Sequence, residues 1–230
     1  MRLALLGRGR MGRAVEESAR GRGWEITCMC GSERPLPRSD IERADVVVEF
    51  TAPEAAVENI RQDLSWGKDL VVGTTGWLGR LDAVRGMVEE SGRGLVHGAN
   101  FSIGMNLLYL LTRRAGELFS GGEFAAFILE AHHAAKKDAP SGSARELEAR
   151  LRAAWGQDPV AVASLRAGSF PGMHQVGFDS PFETVTLRHE VRDRRVFAEG
   201  ALAAAQWIRG RSGLYTFGEM LAARTREAPG

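Results

Sequence analysis

The sequence predicts an α/β protein with an N-terminal doubly wound parallel sheet and a smaller α+β domain after it. In the first half of the 230 residues, short apolar runs alternate with amphipathic stretches of helical length. This alternation is typical of strands joined by helices in a parallel sheet that is buried on both faces. After Asn106 the pattern changes to strands with alternating apolar and polar residues, which indicates a second domain of α+β type.

The first half is predicted to contain βαβ units, because helical stretches separate its apolar runs. Strands are expected over residues 3–6, 26–30, 46–50, 70–72 and 95–96, and helices over 11–22, 53–66 and 78–90. The carboxyl ends of parallel strands meet at one edge of the sheet, and ligands bind there in open α/β folds. Functional residues are therefore expected directly after these strands.

The second half is predicted to begin with a long helix and then to become rich in strands. Helices are expected over residues 106–119, 141–155, 198–209 and 216–224, and strands over 124–129, 160–166, 176–178 and 184–191. A polar loop separates the strand over 124–129 from the following helix. We divide the chain into domains 1–104 and 105–197 and expect the helices of 198–230 to return to the first domain.

The composition argues against several classes of partner. Lys and Arg number 30 and Asp and Glu 29, so no global field attracts nucleic acid or an anionic membrane. The only cysteines, Cys28 and Cys30, lie in one apolar run and are interpreted as buried thiols in a reducing compartment. The N-terminus has no secretory pattern and the chain no apolar run of about 18 residues, so a cytoplasmic location is expected.

A glycine-rich turn joins the first strand to the first helix and predicts a Rossmann-type dinucleotide site. Its residues are Gly7, Arg8, Gly9, Arg10, Met11 and Gly12. In this motif the first glycine makes the tight turn, the second admits the pyrophosphate and the third lets the helix pack on the strand. Free N–H groups of the helix start attract the phosphates. The alternative is an ordinary glycine-rich turn, which is less favoured because the motif directly follows the first strand.

The end of the second strand leaves the choice of nucleotide open. Ser32 and Arg34 could hold the 2′-phosphate of NADP, whereas Glu33 could hold the ribose hydroxyls of NAD. We expect NADPH, NADH or both as cofactor. Two further segments lie where predicted strands end, namely 50–53, with Phe50, and 73–76, with Gly73, Thr74 and Thr75. They are expected to line the crevice for the nucleotide, although both could be plain tight turns.

The polar segment 130–144 holds the densest chemistry of the chain. Its residues include His132, His133 and Lys136, and a helix is expected to start near Gly142 and Ser143. A proton donor, a cation and free helix N–H groups in one loop predict an anionic ligand. Adjacent histidines also occur by chance on surfaces or bind metal, but no suitable carboxylate or cysteine spacing supports a metal, and none is expected.

This segment resembles the dihydrodipicolinate reductase family, also called 4-hydroxy-tetrahydrodipicolinate reductases, of diaminopimelate and lysine biosynthesis. The family's pattern of Glu, any residue, His-His, two variable residues, Lys, any residue and Asp-Ala-Pro-Ser-Gly-Thr matches residues 130–143, with Ser143 in place of threonine. Other landmarks are similar and in the same order. They are Gly12 with the three residues before it, Phe50-Thr51, 73–76, Asn100-Phe101-Ser102, 165–168 and 197–201.

The resemblance implies an NAD(P)H-dependent oxidoreductase with a small dicarboxylate substrate. It implies that His132 is the catalytic acid and that Lys136 is a second proton donor or a carboxylate clamp. His133 would contact the substrate, and the backbone at Gly142 and Ser143 would cradle a carboxylate. Asn100 and Phe101 would contact the nucleotide, the domain over 105–197 would bind substrate, and the family implies a homotetramer.

Two other functions share the predicted fold, because a fold alone does not determine a function. One is a different two-domain dehydrogenase, which acts on an amino acid or a semialdehyde. The other is a catalytically silent nucleotide sensor that retains the first domain. The loop from His132 to Ser143 argues against the other dehydrogenase. The intact His132 and Lys136 argue against the sensor, since a silent site has no need of a proton donor.

Overall fold

The computed structural model describes residues 1–31, 36–156 and 159–227. The chain forms two compact units. Unit 1 comprises Met1–Ile103 and Arg195–Gly230, and unit 2 comprises Gly104–Arg194. Among the described residues, no helix combines the length and the apolar character needed to cross a bilayer.

Unit 1 alternates strands and helices along the chain. Its strands are β1 (Arg2–Leu6), β2 (Glu25–Cys30), β3 (Val46–Glu49), β4 (Asp69–Val72), β5 (Gly94–His97) and β10 (Gly213–Thr216). Its helices are α1 (Arg10–Gly21), α2 (Arg38–Arg43), α3 (Pro53–Ser65), α4 (Leu81–Ser91), α7 (Arg195–Ile208) and α8 (Phe217–Glu227). The described strands form one six-stranded sheet in the order β10-β5-β4-β3-β1-β2, and all their pairings are parallel.

The sheet of unit 1 is buried on both faces, as expected for parallel strands between helices. Successive side chains of β1 alternate between two apolar clusters, with Leu3 and Leu5 in one and Ala4 and Leu6 in the other. The first cluster includes side chains of α1, α7 and α8, and the second includes side chains of α3 and α4. The prediction of a doubly wound parallel sheet is confirmed. The chain order reverses between β1 and β3, which makes the turns after these strands the switch point of the sheet.

Unit 2 is built on a mixed sheet. Its strands are β6 (Ala125–His132), β7 (Ala161–Arg166), β8 (Met173–Asp179) and β9 (Thr184–Glu190), and its helices are α5 (Ile103–Phe119), which begins at the last residue of unit 1, and α6 (Gly142–Trp155). The described strands follow the order β7-β6-β8-β9. β6 and β7 are parallel, with α6 as the crossover between them, whereas β8 pairs antiparallel with both β6 and β9. The prediction of a second, α+β domain is confirmed.

One face of the unit 2 sheet changes from apolar to polar along its strands. Ala126 and Ile128 of β6 pack with Phe178 of β8 in a buried cluster that includes side chains of α5 and α6. Further along the same face of β6, the next two positions are Glu130 and His132, because side chains two residues apart share a face. The sheet therefore has an apolar core at one end of this face and a buried polar row at the other.

Four details differ from the sequence-based expectations. The polar loop was predicted to begin at Glu130, but β6 continues through His132, because Glu130 and His132 find hydrogen-bond partners in the inward register of the strand. The short helix α2 occupies 38–43, where no helix was predicted. The short strand β10 precedes the last helix and pairs with β5. The strand expected over 176–178 extends over the whole of β8.

A buried carboxylate attaches the C-terminal segment of unit 1 to its sheet. Asp69 begins β4 and is 6% exposed. Its Oδ1 accepts a hydrogen bond from the backbone N–H of Gly94 at 3.0 Å, and its Oδ2 accepts one from Gly210 at 2.7 Å. One side chain thus joins β4, the start of β5 and the end of α7.

We expect Asp69→Asn to destabilise unit 1 by about 1–3 kcal/mol. The amide NH2 of Asn replaces one carboxylate oxygen and cannot accept a hydrogen bond, so one of the two backbone N–H groups loses its acceptor. Urea unfolding followed by circular dichroism measures this change. Asp82→Asn is the matched control, since Asp82 is exposed in the first turn of α4, and it should change stability by less than about 0.5 kcal/mol. Equal stability of the two variants would contradict the role given to Asp69.

Candidate active site

The polar row of unit 2 follows the strand register. Glu130 of β6 lies opposite Ser164 of β7 on one side and opposite His174 of β8 on the other. His132 lies opposite Arg166 in the same way, at the end of both strands. The sheet therefore gathers a carboxylate, two imidazoles and a guanidinium from three strands.

Glu130 is the centre of this row. Its side chain has no exposed surface. Oε1 accepts hydrogen bonds from Arg166 Nη2 at 2.6 Å and from the backbone N–H of Ser141 at 3.3 Å, and Oε2 accepts one from His132 Nδ1. Burial alone would raise the pKa of Glu130, but the hydrogen bonds from Arg166 and Ser164 and the charge of His132 lower it to about 2. The carboxylate is therefore ionised at any physiological pH.

His132 is 8% exposed and hydrogen-bonds to Glu130 through Nδ1. Burial lowers the pKa of His132 below 6.5, and the carboxylate of Glu130 opposes this effect. The positive charges of Lys136 and Arg166 lower the pKa of His132 further. The lowered pKa favours the neutral imidazole of His132, whereas a nearby anion would favour its protonated form.

His174 packs edge-on against His132, with 5.1 Å between ring centroids. Its Nε2 lies 3.1 Å from the hydroxyl of Ser141, which also caps α6 by accepting a hydrogen bond from the N–H of Ala144. Burial lowers the pKa of His174 to about 4, and the charge of His132 adds to this effect. His174 is therefore neutral at physiological pH.

The loop after β6 holds Lys136 at its exposed edge. Lys136 Nζ lies 2.6 Å from Oδ1 of Asp138, and this hydrogen bond is the main reason that the pKa of Asp138 is low. The backbone N–H of Gly142 contributes to the same lowering. Arg166 also donates a 2.6 Å hydrogen bond to the carbonyl oxygen of Asp138. Lys136 and the start of α6 thus already bind a carboxylate from the protein itself.

The remaining predicted substrate residues lie beside these groups. Gly142 is exposed at the first position of α6, directly after the cap Ser141. Ser143 is half-buried, and its side chain hydrogen-bonds with Tyr109 of α5. The carbonyl oxygen of His133 accepts a hydrogen bond from the N–H of Lys136 at 3.1 Å, which closes the first turn of the loop.

The turn after β1 has the geometry expected of a dinucleotide-binding motif. Gly7 has a φ of +112°, and a Cβ there would lie 2.1 Å from the carbonyl oxygen of Phe50. A Cβ on Gly12 would lie 1.8 Å from the carbonyl oxygen of Gly7. Gly9 differs, because a Cβ there would meet nothing within 4 Å. Gly7 and Gly12 are therefore required by the fold, whereas Gly9 borders open space at the start of α1, which no side chain of the described residues caps.

A cavity of about 310 Å³ lies at the switch point of the unit 1 sheet. It is lined by Gly9, Arg10, Met11, Phe50, Thr51, Pro53, Gly73, Thr74 and Thr75. The buried Glu49 holds one wall in place, because it accepts hydrogen bonds from the backbone N–H and the hydroxyl of Thr51. The turns after β1, β3 and β4 thus meet around one space, as their positions at the ends of parallel strands predict.

Among the described residues, five predicted nucleotide contacts lie outside the lining of this cavity, namely Gly7 and Gly12 of the turn after β1 and Arg8, Asn100 and Phe101. Nε of Arg8 donates a 3.0 Å hydrogen bond to the carbonyl oxygen of Met29, which holds Arg8 at the end of β2. Phe101 is buried and packs edge-on against Phe50, with 5.9 Å between ring centroids. Asn100 accepts a 2.8 Å hydrogen bond from the N–H of Ser102 in the turn after β5. Ser32, Glu33 and Arg34 lie outside the described residues.

The comparison with known families assigns both halves of the chain. The family model "Dihydrodipicolinate reductase, N-terminus" matches residues 1–101, and "Dihydrodipicolinate reductase, C-terminus" matches residues 104–221. The chain belongs to the dihydrodipicolinate reductase family. The resemblance noted in the sequence is thereby confirmed.

Individual members of the dihydrodipicolinate reductase family match over most of their length. A 4-hydroxy-tetrahydrodipicolinate reductase of Christiangramia forsetii is 29% identical, over 96% of this chain and 98% of the relative. One of Methanoregula boonei is 34% identical, over 86% and 79%. The solved structure of a dipicolinate-bound dihydrodipicolinate reductase from Paenisporosarcina sp. TG-14 is similar in fold, with a TM-score of 0.80 and 20% identity over 94% of this chain and 97% of that one.

The turns of unit 1 fit the pyridine nucleotide that membership of this reductase family implies. The space beside Gly9 leaves room for a pyrophosphate, and the start of α1 offers it backbone N–H groups that the described side chains do not cap. Residues of three further turns border the same cavity or lie beside it.

Glu130, His132 and His174 offer ligand atoms within 4.8 Å of one another. We interpret them as a hydrogen-bonded network, because Glu130 already accepts hydrogen bonds at both oxygens and the Arg166 guanidinium opposes a further cation. The expectation that no metal binds stays a prediction.

The sequence reasoning gave no role to four residues of this family site, namely Glu130, Ser141, Arg166 and His174. One signal was available for Glu130, because a charged residue in the inward register of an apolar strand requires a buried partner. The partner could not be located, since Arg166 is separated from Glu130 by 36 positions and α6 intervenes.

We expect the substitutions Gly9→Ala and Gly12→Ala to separate nucleotide binding from folding. Gly9→Ala should leave stability within about 0.5 kcal/mol, since its methyl group has no atom of the described residues within 4 Å, but weaken NADPH and NADH binding about 10-fold or more. Gly12→Ala should destabilise unit 1 by about 1–3 kcal/mol through overpacking against Gly7. Fluorescence titration and urea unfolding measure the two effects, and unchanged affinity in Gly9→Ala would reject the nucleotide site.

We expect the stability of unit 2 to fall as the pH decreases from 6.5 toward 4, because His174 titrates near 4 when folded and near 6.5 when unfolded. The unfolded chain binds the proton first in this window, so the contribution amounts to at most about 3 kcal/mol. His174→Asn should reduce the loss measured by urea unfolding across this range. His133→Asn is the control, and an identical pH dependence in all three proteins would contradict the prediction.

Proposed function

We propose that the protein catalyses the NAD(P)H-dependent reduction of 4-hydroxy-tetrahydrodipicolinate to tetrahydrodipicolinate. The observation that carries this proposal is the arrangement around His132, which a buried carboxylate holds beside Lys136 and the start of α6. Membership of the reductase family supports the reaction type. This assignment makes unit 1 the nucleotide-binding part and unit 2 the substrate-binding part.

The substrate carries two carboxylates, and unit 2 offers two kinds of group to bind them. Lys136 supplies a cation, and the backbone at Gly142 and Ser143 supplies the N–H groups of a helix start. Asp138 supports this assignment, since its carboxylate already contacts Lys136 and is stabilised by the N–H of Gly142. We infer that a substrate carboxylate replaces Asp138 at Lys136, with His133 as a further contact. The solved relative described as dipicolinate-bound also holds a small dicarboxylate.

His132 acts as the proton donor of the reaction. Loss of water from 4-hydroxy-tetrahydrodipicolinate gives the dehydrated ring, whose conjugated C=C–C=N system would take a hydride from a nicotinamide held by unit 1. The ring then holds an extra electron pair, and a proton from His132 neutralises it. The dianionic substrate favours the protonated form of His132 before this step, because opposite charges raise the pKa of an imidazole. Lys136 holds the ring in place and is a second source of a proton.

We propose that the nucleotide lies along the turns at the switch point of unit 1. The backbone from Gly7 to Gly12 holds the pyrophosphate, and Phe50, Gly73, Thr74 and Thr75 border the remaining nucleotide. Asn100 and Phe101 complete the site after β5. We propose that NADPH and NADH are both used, with Arg8 at the end of β2 near the adenosine ribose. Separate KM values for the two nucleotides test this preference.

We further propose that four copies of the chain assemble through the sheet of unit 2. The face opposite the buried polar row carries Phe127 and Leu129 half-buried and Leu165 at 47% exposure. Apolar side chains on an open sheet face favour association with another protein surface. This proposal extends the tetramer that the family resemblance implies.

A steady-state assay with enzymatically generated substrate tests the function, together with three substitutions. His132→Gln should lower kcat by about 10²–10⁴-fold with little change in KM, because it removes a proton transfer made in the transition state. Lys136→Ala should lower kcat and also raise KM and the Kd of pyridine-2,6-dicarboxylate. Lys137→Ala is the matched control, since Lys137 is exposed, and should behave as the wild type.

Three results would contradict the proposal in different ways. Unchanged turnover in His132→Gln would remove this residue from the mechanism. Efficient turnover of a monocarboxylate or an aldehyde would indicate a different dehydrogenase. Tight nucleotide binding without turnover of any of these substrates would indicate a sensor.

A further inference from the structure

We propose that Glu130 is a positioning residue, which fixes the His132 ring with its Nδ1–H toward the carboxylate and leaves Nε2 to carry the transferred proton. This inference rests on the proposed function, in which His132 is the proton donor. It assigns the proton to one atom of the ring and a role to a residue that does not contact the substrate.

The strand geometry brings the two side chains together. Glu130 and His132 are two residues apart on β6, so they share one face of the sheet. The His132 Nδ1 atom hydrogen-bonds to Oε2 of Glu130. The other oxygen, Oε1, is bound by Arg166 and by the N–H of Ser141, which are anchored on β7 and at the start of α6. The carboxylate is therefore held from three sides and cannot follow the ring.

The charge of Glu130 decides which nitrogen of His132 carries hydrogen. An ionised carboxylate only accepts hydrogen bonds, so Nδ1 must be the donor in this contact. The Arg166 guanidinium, 2.6 Å from Oε1, favours the ionised form. With Nδ1–H committed to Glu130, the proton that the ring gains and loses is the one on Nε2.

The surroundings of Nε2 agree with this assignment. Gly172, in the turn before β8, faces this edge of the ring, and a Cβ on Gly172 would lie 3.3 Å from Nε2. Its φ of +140° is a conformation that other residues rarely adopt. A glycine thus leaves space next to Nε2, where a larger residue would crowd the reacting atom.

The charges around His132 give Glu130 a second effect. Lys136, Arg166 and His174 face the ring from the loop, β7 and β8, and the first two oppose its protonation when charged. Glu130 is the group on β6 that favours protonation. Without its charge, burial and the neighbouring cations would act alone, and the pKa of His132 would fall.

A purely structural role for Glu130 predicts a different result. If the Glu130–Arg166 pair only joined β6 to β7, its loss would reduce stability and the amount of folded enzyme. In the protein that still folds, the pH dependence of kcat/KM and the tautomer of His132 would then stay the same. These two readouts therefore separate positioning from stability.

The experiment compares Glu130→Gln with wild type in kcat/KM against pH and in ¹⁵N spectra of His132. The midpoint above which kcat/KM falls should move to lower pH by about one unit, and kcat should fall about 100-fold, while the Kd of NADPH stays unchanged. At a pH of about 8, where the imidazole is neutral, wild type should show the Nδ1–H tautomer and the variant a mixture of tautomers. Glu146→Gln, which removes an exposed carboxylate of α6, is the control and should match wild type.

The outcomes are distinct. A folded Glu130→Gln protein with the wild-type pH midpoint and tautomer would overturn the proposal. If the variant does not fold, the wild-type spectrum decides, since Nδ1–H supports the proposal and Nε2–H overturns it. Failure of the wild type to reduce the substrate would instead reject the proposed function. The tautomer measurement would still test whether Glu130 fixes the orientation of the His132 ring.

Discussion

The hydrogen bonds of the buried Glu130 carboxylate are the interactions on which the arrangement of unit 2 depends. A charge without exposed surface is stable only with partners, and its partners come from β6, β7 and the start of α6. The same contacts align the ends of two parallel strands with the helix that connects them. The position of His132 is thus a consequence of how the strands and the helix are joined.

In unit 1 the arrangement of the binding turns depends on glycines rather than on a buried charge. Because helices cover both faces of this parallel sheet, ligands can bind only at the ends of its strands. The turns at these ends approach one another closely. Gly7 and Gly12 allow this approach, since a methyl group at either position would overlap a backbone carbonyl oxygen. The space beside Gly9 remains as a result of this close packing.

The sequence predicted features that depend on neighbouring residues and missed those that depend on distant ones. The alternation of strands and helices and the turn from Gly7 to Gly12 are local, and both were recognised. β10 was missed because four residues without a clear pattern form a strand only when β5 offers an edge. Arg166 was part of a family landmark but had no assigned role, because its contact with Glu130 exists only after β7 pairs with β6.

The division of the chain has a consequence for its synthesis. Unit 2 is continuous in sequence, whereas unit 1 is interrupted by it and resumes at Arg195. α7 and α8 supply much of the cover for one face of the unit 1 sheet. While the ribosome is still translating residues before 195, that face of the nascent chain lacks these helices. Unit 2 can therefore complete its fold before unit 1, which has one apolar sheet face without these helices until the end of the chain emerges.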